Sequence, residues 1–270
     1  MSASAVESTE TQGVTGRVVV VTGAGRGIGA AVARLLGAHG AQVALWDADP
    51  VTATDVAAEL AATGVKTAAM CVDVRDSAAV EAAAEQVERE LGPVELLVNV
   101  AGVLRTGALV DLTDQEWDET FAVNVRGVFA VCRSVAGRMA RRGRGAVVTV
   151  ASNAGSVPRV GMGAYAASKA ASVMLTKSLG LELAARGVRC NTVSPGSTDT
   201  PMLRAMWDTA GDGADDATVR GSLDAFRVGI PLGRVGTPEQ VAQAVLFLLS
   251  DQASHITLQD LCVDGGAALG

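Results

Sequence analysis

Arg17-Val-Val-Val-Val-Thr22-Gly-Ala-Gly-Arg-Gly-Ile-Gly29 decides how the rest of the chain is read. The four consecutive valines are a short β-branched run, as expected of a strand buried on both faces. The glycines that follow, Gly23, Gly25, Gly27 and Gly29, give way to an alanine-rich helix through about Ala38. Placed between a strand and a helix, such a turn brings backbone N–H groups and a helix N-terminus against a pyrophosphate. Arg26 and Ile28 share this turn, and Arg26 could also meet a phosphate. The next strand, Gln42 to Trp46, ends at Asp47, where a carboxylate would bind an adenosine ribose diol. It would also repel a 2′-phosphate, which favours NAD over NADP. The alternative is that Asp47 caps the loop before Pro50.

Downstream, strand and helix patterns alternate. A helix is expected over about 52–62, a strand from Lys66 to Val72, and a helix over about 77–91 that Gly92-Pro93 breaks. The strand Val94 to Val98 runs into Asn99-Val-Ala-Gly102. Asp73 and Val74 stand at a strand end beside the cofactor edge, as do Asn99, Ala101 and Gly102. Asp73 and Asn99 read equally well as turn chemistry. Thr113 to Glu116 is a capping box that starts a long helix through Arg141, containing Asn124. The strand Ala146 to Val150 delivers Ser152 to the carboxyl edge of the sheet, where open α/β proteins bind ligands. A second long helix runs to about Ala185, and a strand over 188–193 follows it. Residues 195–232 then form an irregular stretch rich in Gly and Asp, with short helices near 201–209 and 218–228. So long a loop is expected to work as a substrate lid. Helix 238–250 and strand 261–263 end the pattern. The result is one α/β domain over 16–270: a Rossmann-type doubly wound parallel sheet of about seven strands, with helices on both faces.

Tyr165, the single tyrosine, lies four residues before Lys169 in Gly163-Ala-Tyr-Ala-Ala-Ser-Lys169. On a helix these positions share a face. A free phenol titrates near 10, and lowering it to about 7 takes roughly 4 kcal/mol at about 1.36 kcal/mol per unit. A cation one turn away would supply part of that. Ser152 could then hold a substrate oxygen beside the phenol. Alone, each of these residues also has a bland reading: Tyr165 as half-buried helix surface, Lys169 as solvated, Ser152 as a cap.

Composition narrows the function classes. The 270 residues are 49% hydrophobic with a net charge of −7, so a sizeable core is available and nucleic acid is not an expected partner. Cys71, Cys132, Cys190 and Cys262 are scattered without a C-x-x-C, which fits neither zinc nor a disulfide framework and suits a reducing cytoplasm. Residues 1–15 are polar, lack an apolar h-region, and read as a disordered tail. No apolar run is long enough for a membrane span.

Taken together, Thr22-Gly-Ala-Gly-Arg-Gly-Ile-Gly29, Asn99-x-Ala-Gly102, Asn124, Ser152, Tyr165-x-x-x-Lys169 and Pro195-Gly-x-x-x-Thr200 resemble the short-chain dehydrogenase/reductase family across nearly the whole chain after the tail. Val100 departs from that family's usual Asn-Asn-Ala-Gly. The lid and C-terminal segments Ser194–Thr200, Gly229–Gly233, Ser254–Asp260 and Pro158–Met162 resemble the branch that acts on cyclic dihydrodiols in catechol siderophore biosynthesis. The resemblance implies NAD-dependent oxidation of a ring hydroxyl in a cyclic trans-dihydrodiol carboxylate. It implies Tyr165 as base, Ser152 as oxygen holder, Lys169 as tuner and ribose ligand, and Asn124 as holder of a linking water. It also implies cofactor contacts from Pro195, Gly196, Thr198 and Thr200, and a homotetramer built on helices 113–141 and 162–186. A substrate carboxylate wants a planar cationic fork, and Arg105 or Arg159 could provide it, or could be ordinary surface arginines. His39 is expected on a helix surface, and His255 is expected to support structure near the C-terminus. A reductase of 3-oxoacyl thioesters and a non-catalytic nucleotide sensor are the competing readings; Asp47 and the lid segments count against the first, and the intact Ser, Tyr and Lys set against the second.

Overall fold

The computed structural model describes residues 13–269. Seven strands form one sheet in the order β3-β2-β1-β4-β5-β6-β7. They are β1 (Val18–Thr22), β2 (Gln42–Asp47), β3 (Thr67–Cys71), β4 (Val94–Asn99), β5 (Gly145–Val150), β6 (Val188–Pro195) and β7 (Asp260–Val263). Every neighbouring pair is parallel. The order reverses between β1 and β4, and that crevice is where such sheets bind ligands. Side chains alternate across β1 to feed two cores: Val19 and Val21 on one face, Val18 and Val20 on the other. Covering both faces removes all four from water, each burial contributing about 1.5–3 kcal/mol.

Helices α1 (Gly27–Ala38) and α9 (Pro238–Leu249) pack together on one face, with α2 (Pro50–Ala62) beside them. On the other face lie α3 (Ser77–Glu90), α5 (Val128–Arg142) and α6 (Gly163–Leu183). The ends are chemically marked. Asp49 and Asp76 cap α2 and α3, and Thr113 and Thr237 build capping boxes at α4 (Asp114–Phe121) and α9. Arg189 donates to the carbonyls of Leu248, Leu249 and Ser250 at the end of α9.

Several boundaries differ from the sequence expectation. Of the predicted tail, residues 1–12 lie outside the described residues, but Val14 is fully buried in the core and the Gly16 N–H donates to the Gly40 carbonyl. The predicted helix from 113 to 141 is three pieces. Between α4 and α5 the winding widens to a π-helix at Ala122–Gly127, the segment that carries Asn124. The helix expected over 218–228 is α8 (Ala214–Arg220), which follows α7 (Pro201–Ala210). It ends at Gly221, whose φ of 90° no α-helix can continue. At the end of α5 Arg142 pairs with Glu88, and just beyond it Arg144 pairs with Glu95. His39 caps α1 through its backbone N–H, and its ring contacts the Leu35 carbonyl.

Candidate active site

A cavity of about 420 Å³ opens at the carboxyl ends of the strands, a size suited to small molecules. The loop after β1 contributes Gly23, Arg26, Gly27 and Ile28. The ends of β2 and β3 contribute Asp47, Asp73 and Val74, and the loop after β4 contributes Ala101 and Gly102. Pro195, Gly196, Thr198 and Thr200 line it after β6. Gly25, Gly29, Asn99, Asn124 and Arg105 are not among the lining residues.

Two of those five shape the cradle from behind. A side chain on Gly29 would overlap the Gly23 carbonyl oxygen, so α1 can start this close to β1 only with glycine there. Gly25 donates its N–H to Asp47 Oδ2 at 2.9 Å, and Asp47 Oδ1 accepts from the Asp49 N–H at 3.0 Å. Asp47 therefore caps its loop, and it also lines the cavity. Asp73 is held by Arg75 at 2.6 Å, and that guanidinium keeps its carboxyl below the usual range. Thr22 Oγ1 accepts from the Val100 and Ala101 N–H groups and fixes the turn after β4. Asn99 is buried behind it, donating to Thr149 Oγ1 and Cys132 Sγ, with its own Oδ1 unpartnered.

Ser152, Tyr165 and Lys169 line the same cavity. Tyr165 and Lys169 lie on the first turns of α6 and are 8% and 6% exposed. The Lys169 Nζ donates to the Val150 carbonyl at 3.0 Å and lies 5.6 Å from the centre of the Tyr165 ring. Burial lowers the Lys169 pKa to about 8. The phenol differs from expectation. Burial pushes Tyr165 above its ordinary value, and the neighbouring Ser152 hydroxyl pulls it only partly back. The ammonium is anchored to the β5 backbone and faces the ring, so the cost of a desolvated phenolate outweighs it. Behind the pair, Asn124 is fully engaged: Oδ1 accepts from the Val103 N–H, and Nδ2 donates to the Val103 carbonyl and Ser168 Oγ. A Cβ on Gly102 would lie 3.3 Å from Asn124 Oδ1 and 3.4 Å from Lys169 Nζ. Both polar groups thus border the gap that glycine leaves.

Of the two predicted substrate arginines, Arg159 lines the cavity and donates to the Ala267 carbonyl at 3.3 Å. Arg105 does not: its guanidinium is paired at 2.9 Å with Glu119, which does line the cavity. The irregular segment after β6 also lines it, with Met206 on α7, Thr218 on α8 and Arg227 after it. Those three were not predicted. Side chains in so irregular a segment have no periodicity to reveal them, although an arginine between Gly221 and Gly229 was a visible oddity.

The cradle fits a nicotinamide dinucleotide. The loop after β1 closes on a helix N-terminus, a carboxylate stands at the end of β2, and a side-chain-free gap lies beside Lys169. Comparison with known proteins agrees. The family model described as "Enoyl-(Acyl carrier protein) reductase" matches residues 23–268. A 2,3-dihydro-2,3-dihydroxybenzoate dehydrogenase of Bacillus subtilis (strain 168) is 51% identical over 259 residues, 96% of this chain and 98% of that one. Another of that name, from Escherichia coli (strain K12), is 46% identical over 95% of this chain and 98% of its own. Among solved structures, a 7α-hydroxysteroid dehydrogenase complexed with NADH and 7-oxo glycochenodeoxycholic acid superposes with a TM-score of 0.88. It is 28% identical, covering 96% of this chain and 97% of that one.

Proposed function

The chain belongs to the short-chain dehydrogenase/reductase family of oxidoreductases, and on that premise we propose that it oxidises 2,3-dihydro-2,3-dihydroxybenzoate to 2,3-dihydroxybenzoate with NAD⁺. The observation that carries the reading is the convergence of Ser152, Tyr165 and Lys169 in the one cavity that Arg159 also enters. The similarity to two dehydrogenases of that name supports the choice of substrate.

A bound nicotinamide supplies the hydride acceptor; the glycine turn, Asp47 and Lys169 would hold the dinucleotide. Ser152 Oγ holds the substrate hydroxyl, and Tyr165 Oη takes its proton. The ring carbon gives up its hydride as the carbonyl forms. The resulting ketone tautomerises to an aromatic catechol, which draws the reaction toward oxidation. Free Tyr165 is held protonated by its surroundings, so its activation falls to charge that arrives with the cofactor and to Lys169. Asn124 and Lys169 border the gap at Gly102, and a water there would pass the proton outward. The Asp47 carboxylate disfavours a 2′-phosphate, hence NAD.

The matching model's description favours a second reading, reduction of acyl thioesters. A neutral thioester leaves the cationic Arg159 unmatched, and such reductases mostly use NADPH. The exposed apolar residues Trp117, Phe129, Met174 and Leu181 on α4, α5 and α6 support a homotetramer. The four free cysteines support a cytoplasmic setting.

Mixing the protein with NAD⁺ and the dihydrodiol while following nicotinamide absorbance tests the proposal. Tyr165→Phe should fold normally and lose at least about 100-fold in kcat. Turnover that persists in that variant, or wild-type activity confined to thioesters and NADPH, overturns it.

A further inference from the structure

Arg227 lines the same cavity as Arg159. Among the described residues its guanidinium has no salt-bridge partner, and neither does that of Arg159, whose contact is the neutral Ala267 carbonyl. Burial first, and then the Arg159 charge, pull the Arg227 pKa below its ordinary value. Two half-buried cations that repel across a cavity, without a counter-charge, are expensive unless an anion comes between them.

The backbone presents Arg227 in a fixed place. Ser222 and Arg227 exchange both backbone hydrogen bonds at 2.9 Å, closing a tight loop. Phe226, the residue before it, is held at φ 52° with its ring 89% exposed. That conformation is costly for an aromatic residue and persists only where its surroundings impose it. Gly221 and Gly229 bracket the loop at φ 90° and 84°. A Cβ on the first would overlap the Arg227 carbonyl oxygen, and on the second would lie 2.5 Å from the Val219 carbonyl oxygen. The loop is therefore pinned at both ends while its arginine points into the site.

We propose that Arg227 is the lid's carboxylate-binding residue, closing with Arg159 on the two sides of the substrate's ring carboxylate and so selecting carboxylated diols over neutral ones. The inference rests on the substrate reading above and adds the residue that enforces it. Each fork would make charge-assisted hydrogen bonds to one carboxylate, and the bound anion would remove the repulsion between the two cations.

Arg227→Met, Arg227→Lys and the double variant with Arg159→Met test this, with folding checked by thermal melts. Steady-state rates should show KM for the carboxylated dihydrodiol rising about 10- to 100-fold in Arg227→Met, with kcat changed far less. Arg227→Lys, which keeps charge but loses the fork, should fall between. The same diol without its carboxylate should bind the wild type and all three variants equally poorly. Calorimetric binding of 2,3-dihydroxybenzoate against catechol repeats the comparison without turnover, so it remains decisive if the wild type proves inactive on the diol and the substrate reading fails. Unchanged KM and unchanged 2,3-dihydroxybenzoate affinity in Arg227→Met overturn the proposal. So does an equal loss for the neutral and carboxylated ligands. Should Arg227→Met not fold, Arg227→Gln replaces it with the same expectations.

Discussion

Lys169→Met should change how stability depends on pH, in a direction the buried ammonium dictates. Lys169 has a pKa of about 8 in the folded chain, against an ordinary 10.5. The difference corresponds to about 3 kcal/mol, at about 1.36 kcal/mol per unit. Because the folded value is the lower one, the unfolded chain binds more protons between the two, and stability rises with pH across that window. Below the folded pKa the wild type carries the whole cost of an ammonium out of water; above 10.5 it carries none. Between about pH 7.5 and about pH 9.5 the linkage relation removes roughly 2 kcal/mol of that cost. Tyr165 does not blur the window, because burial holds its phenol protonated beyond the ordinary value. The variant also strips the Val150 carbonyl of its donor, an offset of about 1 kcal/mol that does not vary with pH. Urea unfolding of both proteins without cofactor, at matched concentration and several pH values, measures the difference. The wild type should gain on the variant by roughly 2 kcal/mol from the lower pH to the higher. Parallel stability curves would refute the reasoning, because they would mean that Lys169 titrates alike folded and unfolded.

Gly29→Ala should lower the unfolding temperature and cost about 1–3 kcal/mol, since its methyl meets the Gly23 carbonyl oxygen; NAD affinity, read by calorimetry, should fall with it. Unaltered affinity would separate the turn from the cofactor. Asp47→Asn keeps an acceptor for the Gly25 N–H while removing the charge. It should raise kcat/KM with NADP relative to NAD by about tenfold, and an unmoved ratio would take Asp47 out of cofactor choice.

What the sequence made legible was whatever depends on period and punctuation. Four valines and a glycine turn place β1 and α1, and the alternation downstream yields the parallel sheet. The four-residue spacing puts Tyr165 and Lys169 on one face of α6. What escaped was whatever depends on a partner remote in the chain. Arg105 looked free because Glu119, its partner, is fourteen residues on. The phenol was expected to be acidified, but the ammonium that would do so is tied to a carbonyl of β5. Arg227 became visible only once the fold brought it to the cavity beside Arg159. Val14 looked like tail because a lone apolar residue among polar ones carries no period, yet it fills a hole in the core.

The wide turn at Ala122–Gly127 also acts as a phase setter. An α-helix advances about 100° per residue, so one additional residue in a turn rotates everything on its far side. Here α4 packs against α6 while α5 packs against α3 and β4, and no straight rod would aim both stripes correctly. Deleting a single residue from 122–127 would give regular winding. It would also swing the stacked Trp117 and Phe121 rings off their side of the molecule and unseat Asn124, so local regularity would be regained at the expense of the fit between two distant surfaces.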